Sequence, residues 1–381
     1  MSDLRIVADA NMPGLDGIPG LAVDYQEGRS ICREHLANAD ALLVRSVTRV
    51  DENLLAGTGV RFVGTATSGF DHVDRAYLAG AGIGFSHAPG SNANSVVEYV
   101  LAAIATIDDF LEQLLAGEKV GVVGYGHIGR LLCQRLTALK IDFCCYDPWL
   151  DDSAVANACS LDKVLASRVI TLHPSLILES PWPSRHLLST PELAQITAGQ
   201  LLINASRGEV VDNRALALHL RDQPEAPVVL DVWEGEPALD PRLLDKVAIG
   251  TAHIAGYSLD SKLKATRMLL TAMVGHLAIP ELSPGNLDDG AEELSVDLPG
   301  EHAQALRSLL GARYQIMEDD RRLRVVADMA AGDSRQLAAG FDKLRKDYPV
   351  RRELAGSRVY ATNGSAADLL RALDCTATGD R

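Results

Sequence analysis

Short apolar runs bounded by Gly, Asp and Asn recur along this chain, with amphipathic stretches between them. In residues 1–95 the runs Leu4–Ala8, Ala41–Val44, Arg61–Thr65 and Gly82–Ser86 read as strands, and Ile31–Ala37 and Val73–Ala79 as helices. That alternation predicts a parallel sheet with helices on both faces. Residues 92–115 carry a long helical pattern, with Asn92 or Asn94 as its N-cap and Gly117 as its stop. A second strand–helix series follows, with strands at Lys119–Val123, Asp142–Tyr146, Val169–Leu172, Leu201–Asn204, Val228–Asp231 and Val247–Gly250. A βα series of that size is a complete Rossmann unit. A second long helix is expected over Leu259–Leu277.

The two long helices bracket the Rossmann series, so the chain is expected to enter and leave it through them. Helix 259–277 then returns to the first domain, and the active cleft lies between the two α/β units. The segment Ile279–Asp289, with Pro280, Pro284 and Gly285, reads as a linker. Beyond it, Leu294–Leu298, Leu323–Ala327 and Arg358–Ala361 read as strands, and His302–Leu310, Ser334–Lys346 and Ala366–Leu373 as helices. This tail is expected to be a small α+β domain.

Composition narrows the function classes. The 381 residues hold 36 Lys+Arg against 51 Asp+Glu, a formal charge of −15. An acidic chain lacks the basic footprint of a nucleic-acid or membrane-surface binder. An anionic substrate must then be held by local Arg residues and backbone amides. Cys32, Cys133, Cys144, Cys145, Cys159 and Cys375 show neither C-x-x-C pairing nor zinc spacing, so neither a disulfide framework nor a metal is expected. The N-terminus, with Asp3 and Arg5, has no apolar signal region, and no apolar run is long enough to span a bilayer. The expected compartment is the cytoplasm.

Residues Gly121–Arg130 contain G-x-G-x-x-G at Gly124, Gly126 and Gly129, after an apolar strand and at the head of a helix expected over Ile128–Leu139. The next strand ends in Asp147. The first glycine permits a tight turn, the second lets the backbone approach a pyrophosphate, and the third lets the helix pack close. The helix N-terminus then faces the phosphates, and the acidic residue takes the ribose 2′-hydroxyl. Asp147 favours NAD over NADP, because a 2′-phosphate beside a carboxylate is repelled.

Three polar groups fall just past the carboxyl ends of consecutive expected strands: Arg207, Glu236 and His253. Ligands of open α/β sheets bind at those ends. Hydride loss from an alcohol needs a base for the hydroxyl proton, and histidine titrates near neutrality. Glu236 would fix the His253 tautomer and raise its pKa. Arg207 can clamp a carboxylate with two parallel hydrogen bonds.

At these residues the chain resembles the D-2-hydroxyacid dehydrogenases. The matching pieces are Gly121–Arg130, Leu202–Asp212, Val229–Pro237 and Thr251–Tyr257, with Gly69–Asp74 and Ser95–Tyr99 in the first half. They cover nearly all of residues 1–280. Closer features point to a branch of that family that oxidises a phosphorylated four-carbon sugar acid on the way to pyridoxal 5′-phosphate. These are Val44–Thr48, Phe62–Gly69, the His253–Ser258 stretch and Phe341–Lys346 in the tail.

The resemblance implies two doubly wound parallel-sheet domains, a Rossmann NAD domain (96–257) and a flavodoxin-like substrate domain (1–95 with 258–280). It also implies a C-terminal α+β dimerisation domain (286–381) that makes a homodimer. It makes Arg207 and Glu236 catalytic, with His253 as proton donor or acceptor, and gives Ser46, Thr67 and Tyr257 to substrate. The NAD set becomes Gly124, Gly126, Ile128, Gly129, Asp147, Ala205, Ser206, Arg207, Asp231 and Gly256. Arg45 is a further candidate for the phosphate, or else a solvated or salt-bridged residue.

One position departs from the family. Where a His-Thr-Pro is usual, this chain reads His173-Pro174-Ser175, and a proline brings neither N–H nor hydroxyl. That contact with the cofactor is lost unless Ser175 replaces it. The alternatives are another 2-hydroxyacid dehydrogenase, such as one acting on 3-phosphoglycerate, and a non-enzymatic NAD-sensing protein.

Overall fold

The computed structural model describes residues 3–279, 290, 292–361 and 366–378. Residue contacts divide the chain into two units, Met1–Asn92 with Ser258–Gly290, and Ala93–Tyr257 with Ala291–Arg381. Pro280, Pro284 and Gly285 of the expected linker lie outside the described residues.

The first unit is built on five parallel strands, β1 (Leu4–Asp9), β2 (Leu21–Gln26), β3 (Ala41–Val44), β4 (Phe62–Thr65) and β5 (Gly84–His87). Their order, β2-β1-β3-β4-β5, is that of flavodoxin. Every residue of β3 and β4 is buried, as expected of central strands covered on both faces. Helix Leu259–Leu277 covers one face, burying Leu269, Leu270 and Met273 with Ile6, Leu43 and Phe62. Two expectations fail here. β2 was not foreseen, because it is an edge strand whose residues alternate between half-buried and exposed. The helix expected at Ile31–Ala37 is a 3₁₀ turn, Arg33–Leu36. Its buried anchors Ile31 and Leu36 are five apart and cannot share a helical face.

The second unit carries β6 (Lys119–Val123), β7 (Asp142–Tyr146), β8 (Val169–Leu172), β9 (Leu201–Asn204), β10 (Val228–Leu230) and β11 (Ile249–Gly250). All are parallel, in the order β11-β10-β9-β8-β6-β7. A lone parallel bridge between Cys145 and Ala158 stands outside β7, where a Rossmann sheet places a further strand. The strand order reverses between β6 and β8, which locates the ligand crevice at their carboxyl ends. The helix expected over 92–115 is two helices, Ala93–Thr106 and Phe110–Leu115. The break falls at Asp108, whose φ of 41° no α-helix accepts.

The tail forms a three-stranded parallel sheet, β12 (Glu293–Val296), β13 (Arg358–Ala361) and β14 (Thr376–Thr378). Helices His302–Arg313, Ile316–Ala330, Ser334–Lys346 and Ala366–Ala372 accompany it. Leu323–Ala327 is therefore not a strand. It lies inside a helix that buries Ile316, Leu323 and Ala330, seven residues apart, on one face. The tail joins the Rossmann core: Leu306, Leu309 and Leu354 share a hydrophobic cluster with Tyr99 and Leu101. Arg307 donates to the Ala105 carbonyl at 2.7 Å, and Asp320 accepts from the amide of Gly250 at 2.8 Å. No helix among the described residues is long and apolar enough to cross a membrane.

Candidate active site

The glycine turn sits at the carboxyl end of β6. Gly124 has φ of +90°, and a Cβ there would stand 2.7 Å from the Pro174 nitrogen. A Cβ on Gly129 would overlap the Gly124 carbonyl, so helix His127–Ala138 can approach the turn only with glycine there. At Gly126, the N-cap of that helix, the space beyond the backbone is open. Asp147, at the end of β7, accepts from the amide of Tyr125 at 2.8 Å and from that of Trp149 at 3.1 Å. The carboxylate is thereby fixed to the glycine turn, and it lines a cavity of about 420 Å³ with Gly126, Trp149 and Ser175. Each of its oxygens retains a lone pair for a hydroxyl. An open backbone cradle at a helix N-terminus, with a fixed carboxylate beside it, fits NAD. Arg130 donates to the Tyr125 carbonyl at 2.8 Å and lies over the Tyr125 ring.

His173-Pro174 closes over the turn. His173 is buried, its Nε2 is 3.0 Å from the Thr171 hydroxyl, and burial pushes its ring down to about 3. It is a neutral packing group. Ser175 lines the cavity, and its carbonyl accepts from the Ser184 hydroxyl at 2.6 Å.

The trio expected to be catalytic is assembled by three loops. Arg207 follows β9, where Asn204 accepts from the Ser206 amide at 3.1 Å and donates to the Arg207 carbonyl at 3.0 Å. A Cβ on Gly208 would overlap the backbone carbonyl of Trp233, so the Arg207 loop packs directly on the Glu236 loop. Trp233, fully buried, donates its indole N–H to the Thr251 carbonyl at 2.9 Å and ties that loop to the next.

Asp231 organises the His253 loop. Its carboxylate accepts from the Thr251 hydroxyl at 2.6 Å and the amides of Ile254 and Ala255 at 2.8 and 3.0 Å. Its carbonyl accepts from the His253 amide at 2.7 Å. This holds His253 at φ of 54°, a left-handed conformation that a non-glycine residue keeps only when its surroundings enforce it.

The outcome is a His253 Nδ1 to Glu236 Oε1 contact of 2.5 Å. Burial alone would push the Glu236 carboxyl up. The His253 ring, the Arg345 guanidinium and the Trp233 amide outweigh it and hold the group below the usual carboxylate range. With Nδ1 engaged, the other ring nitrogen, Nε2, is left for a reacting proton.

Of the expected residues, the structure brings together Ala205, Ser206, Arg207, Asp231, Glu236, His253, Gly256 and Tyr257 on adjoining loops of the second unit. Gly124, Gly126, Ile128, Gly129 and Asp147 stand at the crevice of the same sheet. Ser46 and Thr67 lie in the first unit, just past β3 and β4. Ser46 is exposed. The Thr67 hydroxyl donates to the Gly69 carbonyl at 2.6 Å and is 2.8 Å from that of Thr65.

Two tail residues were missed. Arg345 lies 5.6 Å from the Tyr257 ring centre, and Arg351 donates to the Ala255 carbonyl at 2.7 Å. The Phe341–Lys346 stretch was distinctive in sequence, but nothing in its spacing tells that it folds back onto a loop some ninety positions earlier.

Comparison with known proteins agrees with this architecture. Residues 98–255 match the NAD-binding domain model of D-isomer specific 2-hydroxyacid dehydrogenases. Residues 290–373 match a domain family of unknown function. The solved D-lactate dehydrogenase of Aquifex aeolicus, complexed with NAD and lactic acid, is 23% identical with a TM-score of 0.59 over 74% of this chain and 98% of its own. The NAD-bound 3-phosphoglycerate dehydrogenase of Entamoeba histolytica is 19% identical, with a TM-score of 0.58 over 73% and 94%. These two show the fold, and the family model marks residues 98–255 as similar to the NAD-binding domain of the D-2-hydroxyacid dehydrogenases. Erythronate-4-phosphate dehydrogenase from Cellvibrio japonicus is 44% identical over 93% of this chain and 94% of its own length. That from Escherichia coli K12 is 42% identical over 96% and 97%. The chain belongs to the erythronate-4-phosphate dehydrogenase family.

Proposed function

We infer that this protein oxidises 4-phosphoerythronate at C2, giving 2-oxo-3-hydroxy-4-phosphobutanoate, a step in pyridoxine biosynthesis. The observation that carries the reading is the 2.5 Å pairing of His253 with Glu236 on the loop beside Arg207, at the crevice end of the sheet that carries the glycine turn. Arg207 clamps the C1 carboxylate and orients the reacting carbon. His253 Nε2 takes the C2 hydroxyl proton, while Glu236 holds the proton on Nδ1 and balances the imidazolium that forms. NAD, held by the glycine turn and Asp147, supplies the hydride acceptor. We also assign substrate contact to Ser46, Thr67 and Tyr257. The reaction runs in the cytoplasm, where the six cysteines remain free thiols.

Turnover is tested by following NADH with 4-phosphoerythronate, adding a 2-oxo acid as acceptor in case reduced cofactor stays bound. Product formation supports the reading; preference for another D-2-hydroxy acid contradicts it.

We further propose a homodimer built through the tail. Met317, Val325 and Met329 are exposed and lie four and eight residues apart along helix Ile316–Ala330, so they share one face. Such a stripe is what a second copy would cover. Val325→Glu with Met329→Glu should turn a sedimenting dimer into a monomer. A dimer that survives both changes contradicts this placement.

A further inference from the structure

Resting on the reaction read above, we propose that the tail supplies a positioning residue: Arg351 grips the backbone of the His253 loop and keeps it in the form that pairs His253 with Glu236. Arg351 acts through that backbone, at Ala255, two residues after the base.

His253 stands at φ of 54°, a conformation its surroundings have to enforce. Ala255 is where they do so from both sides. Its amide donates to Asp231 Oδ2 at 3.0 Å, and its carbonyl accepts from Arg351 Nη2 at 2.7 Å. Ala255 is buried, and a buried carbonyl left unpaired is costly. One peptide segment is thus held between a carboxylate and a guanidinium. The carboxylate follows β10 of the Rossmann sheet, and the guanidinium comes from the tail.

The same Arg351 nitrogen reaches helix Ala93–Thr106. There the Ser95 carbonyl accepts at 3.2 Å, and the Ser95 hydroxyl accepts as well. The Ser95–Tyr99 stretch, distinctive in sequence, therefore begins on the residue that holds the loop. Arg351 is itself fixed. It is buried, its guanidinium carbon lies 4.3 Å from the Tyr314 ring centre, and Glu98 and Asp319 act on it electrostatically. Before it, the Tyr348 ring meets the Tyr257 ring edge-on at 5.8 Å. After it, the amides of Leu354 and Ala355 donate to Glu98. Residues 348–355 are anchored at both ends, with Arg351 between. This gives the matched domain of unknown function a concrete role: it braces the catalytic loop of the dehydrogenase in the same chain.

The test must separate bracing of the loop from docking of the tail. Arg307 provides the control, because it also ties the tail to the Rossmann core, through the Ala105 carbonyl and Glu112, away from the His253 loop. Wild type, Arg351→Met, Arg351→Lys and Arg307→Gln are compared by kcat on 4-phosphoerythronate, by NAD affinity, and by hydrogen exchange of the amides of residues 252–257 in the NAD-loaded protein. Arg351→Met should lower kcat on the order of 100-fold and speed exchange of the loop, with NAD affinity near that of wild type. Arg351→Lys keeps a charge and a donor but loses the planar group that lies on Tyr314, and should show a smaller change in both readouts. Arg307→Gln should match wild type in both. Wild-type kcat or wild-type loop exchange in Arg351→Met would overturn the proposal. So would equal losses in Arg307→Gln, which is what an arginine that merely docks the tail produces. If Arg351→Met fails to fold, Arg351→Lys against Arg307→Gln decides by the same readouts. Failure of the substrate reading is distinct: wild type is then inactive on 4-phosphoerythronate, while loop exchange still reports whether Arg351 holds Ala255.

Discussion

At the residue scale the proposed chemistry rests on His253 and the groups that fix it. Because Glu236 sits below the usual carboxylate range, it stays ionised wherever an ordinary carboxylate would begin to protonate. Its role is therefore constant across neutral and mildly acid pH. Glu236→Gln should lower kcat about 100-fold at every pH in that range and leave NAD affinity unchanged. A pH series of kcat with wild-type values in the variant would remove Glu236 from the mechanism. Asp231 belongs to the same scale. The resemblance gave it to NAD, and its carboxylate is occupied by the Thr251 hydroxyl and two loop amides. This trio of Arg, Glu and His was legible in sequence because each residue follows an apolar run that could only be a central strand. Arg345 was not, since its contact with Tyr257 depends on tertiary folding that leaves no periodic trace.

At the element scale, close approach of helix to turn is the controlling feature. Gly129→Ala places a methyl against the Gly124 carbonyl, so helix His127–Ala138 must shift away from the crevice. The expected outcome is a loss of NAD affinity of at least about 10-fold with the fold retained, read by NADH fluorescence titration. An unchanged affinity would mean the helix N-terminus does not contribute to binding. Central elements were foreseen almost to the residue: β6, β7, β8 and β9 have the expected bounds. Burial of all of β8 and β9 and of all but the first residue of β6 imposes continuous apolar runs, and β7, at the edge, still buries Phe143 and Cys145. β2 and β14 escaped because edge strands face solvent and need no such run. The Leu323–Ala327 run, rich in Val, looked like a strand. Burial of Ile316, Leu323 and Ala330 on one face decided for a helix.

At the scale of the whole molecule, the tail is part of the second unit's core. Glu98, on helix Ala93–Thr106, accepts from the amides of Leu354 and Ala355 at 2.7 and 3.0 Å. Burial, and then the neighbouring Glu353, push its carboxyl up from 4.5 to about 8 against those bonds and Arg351. The folded state thus holds a proton that the unfolded chain releases. That contribution to stability is full below about pH 4.5 and is lost as pH rises through about 8. The stability of wild type against thermal unfolding should fall over that interval, by on the order of a few kcal/mol, and Glu98→Gln should flatten the dependence. A variant with the wild-type slope would show that Glu98 is already ionised in the folded protein. The most direct test of the whole account is turnover of 4-phosphoerythronate by His253→Ala beside its NAD affinity. We expect kcat to fall about 1000-fold or more while NAD binds nearly as in wild type. Near-normal turnover in that variant would contradict the assignment of the base, and with it the mechanism built on the Glu236 pair.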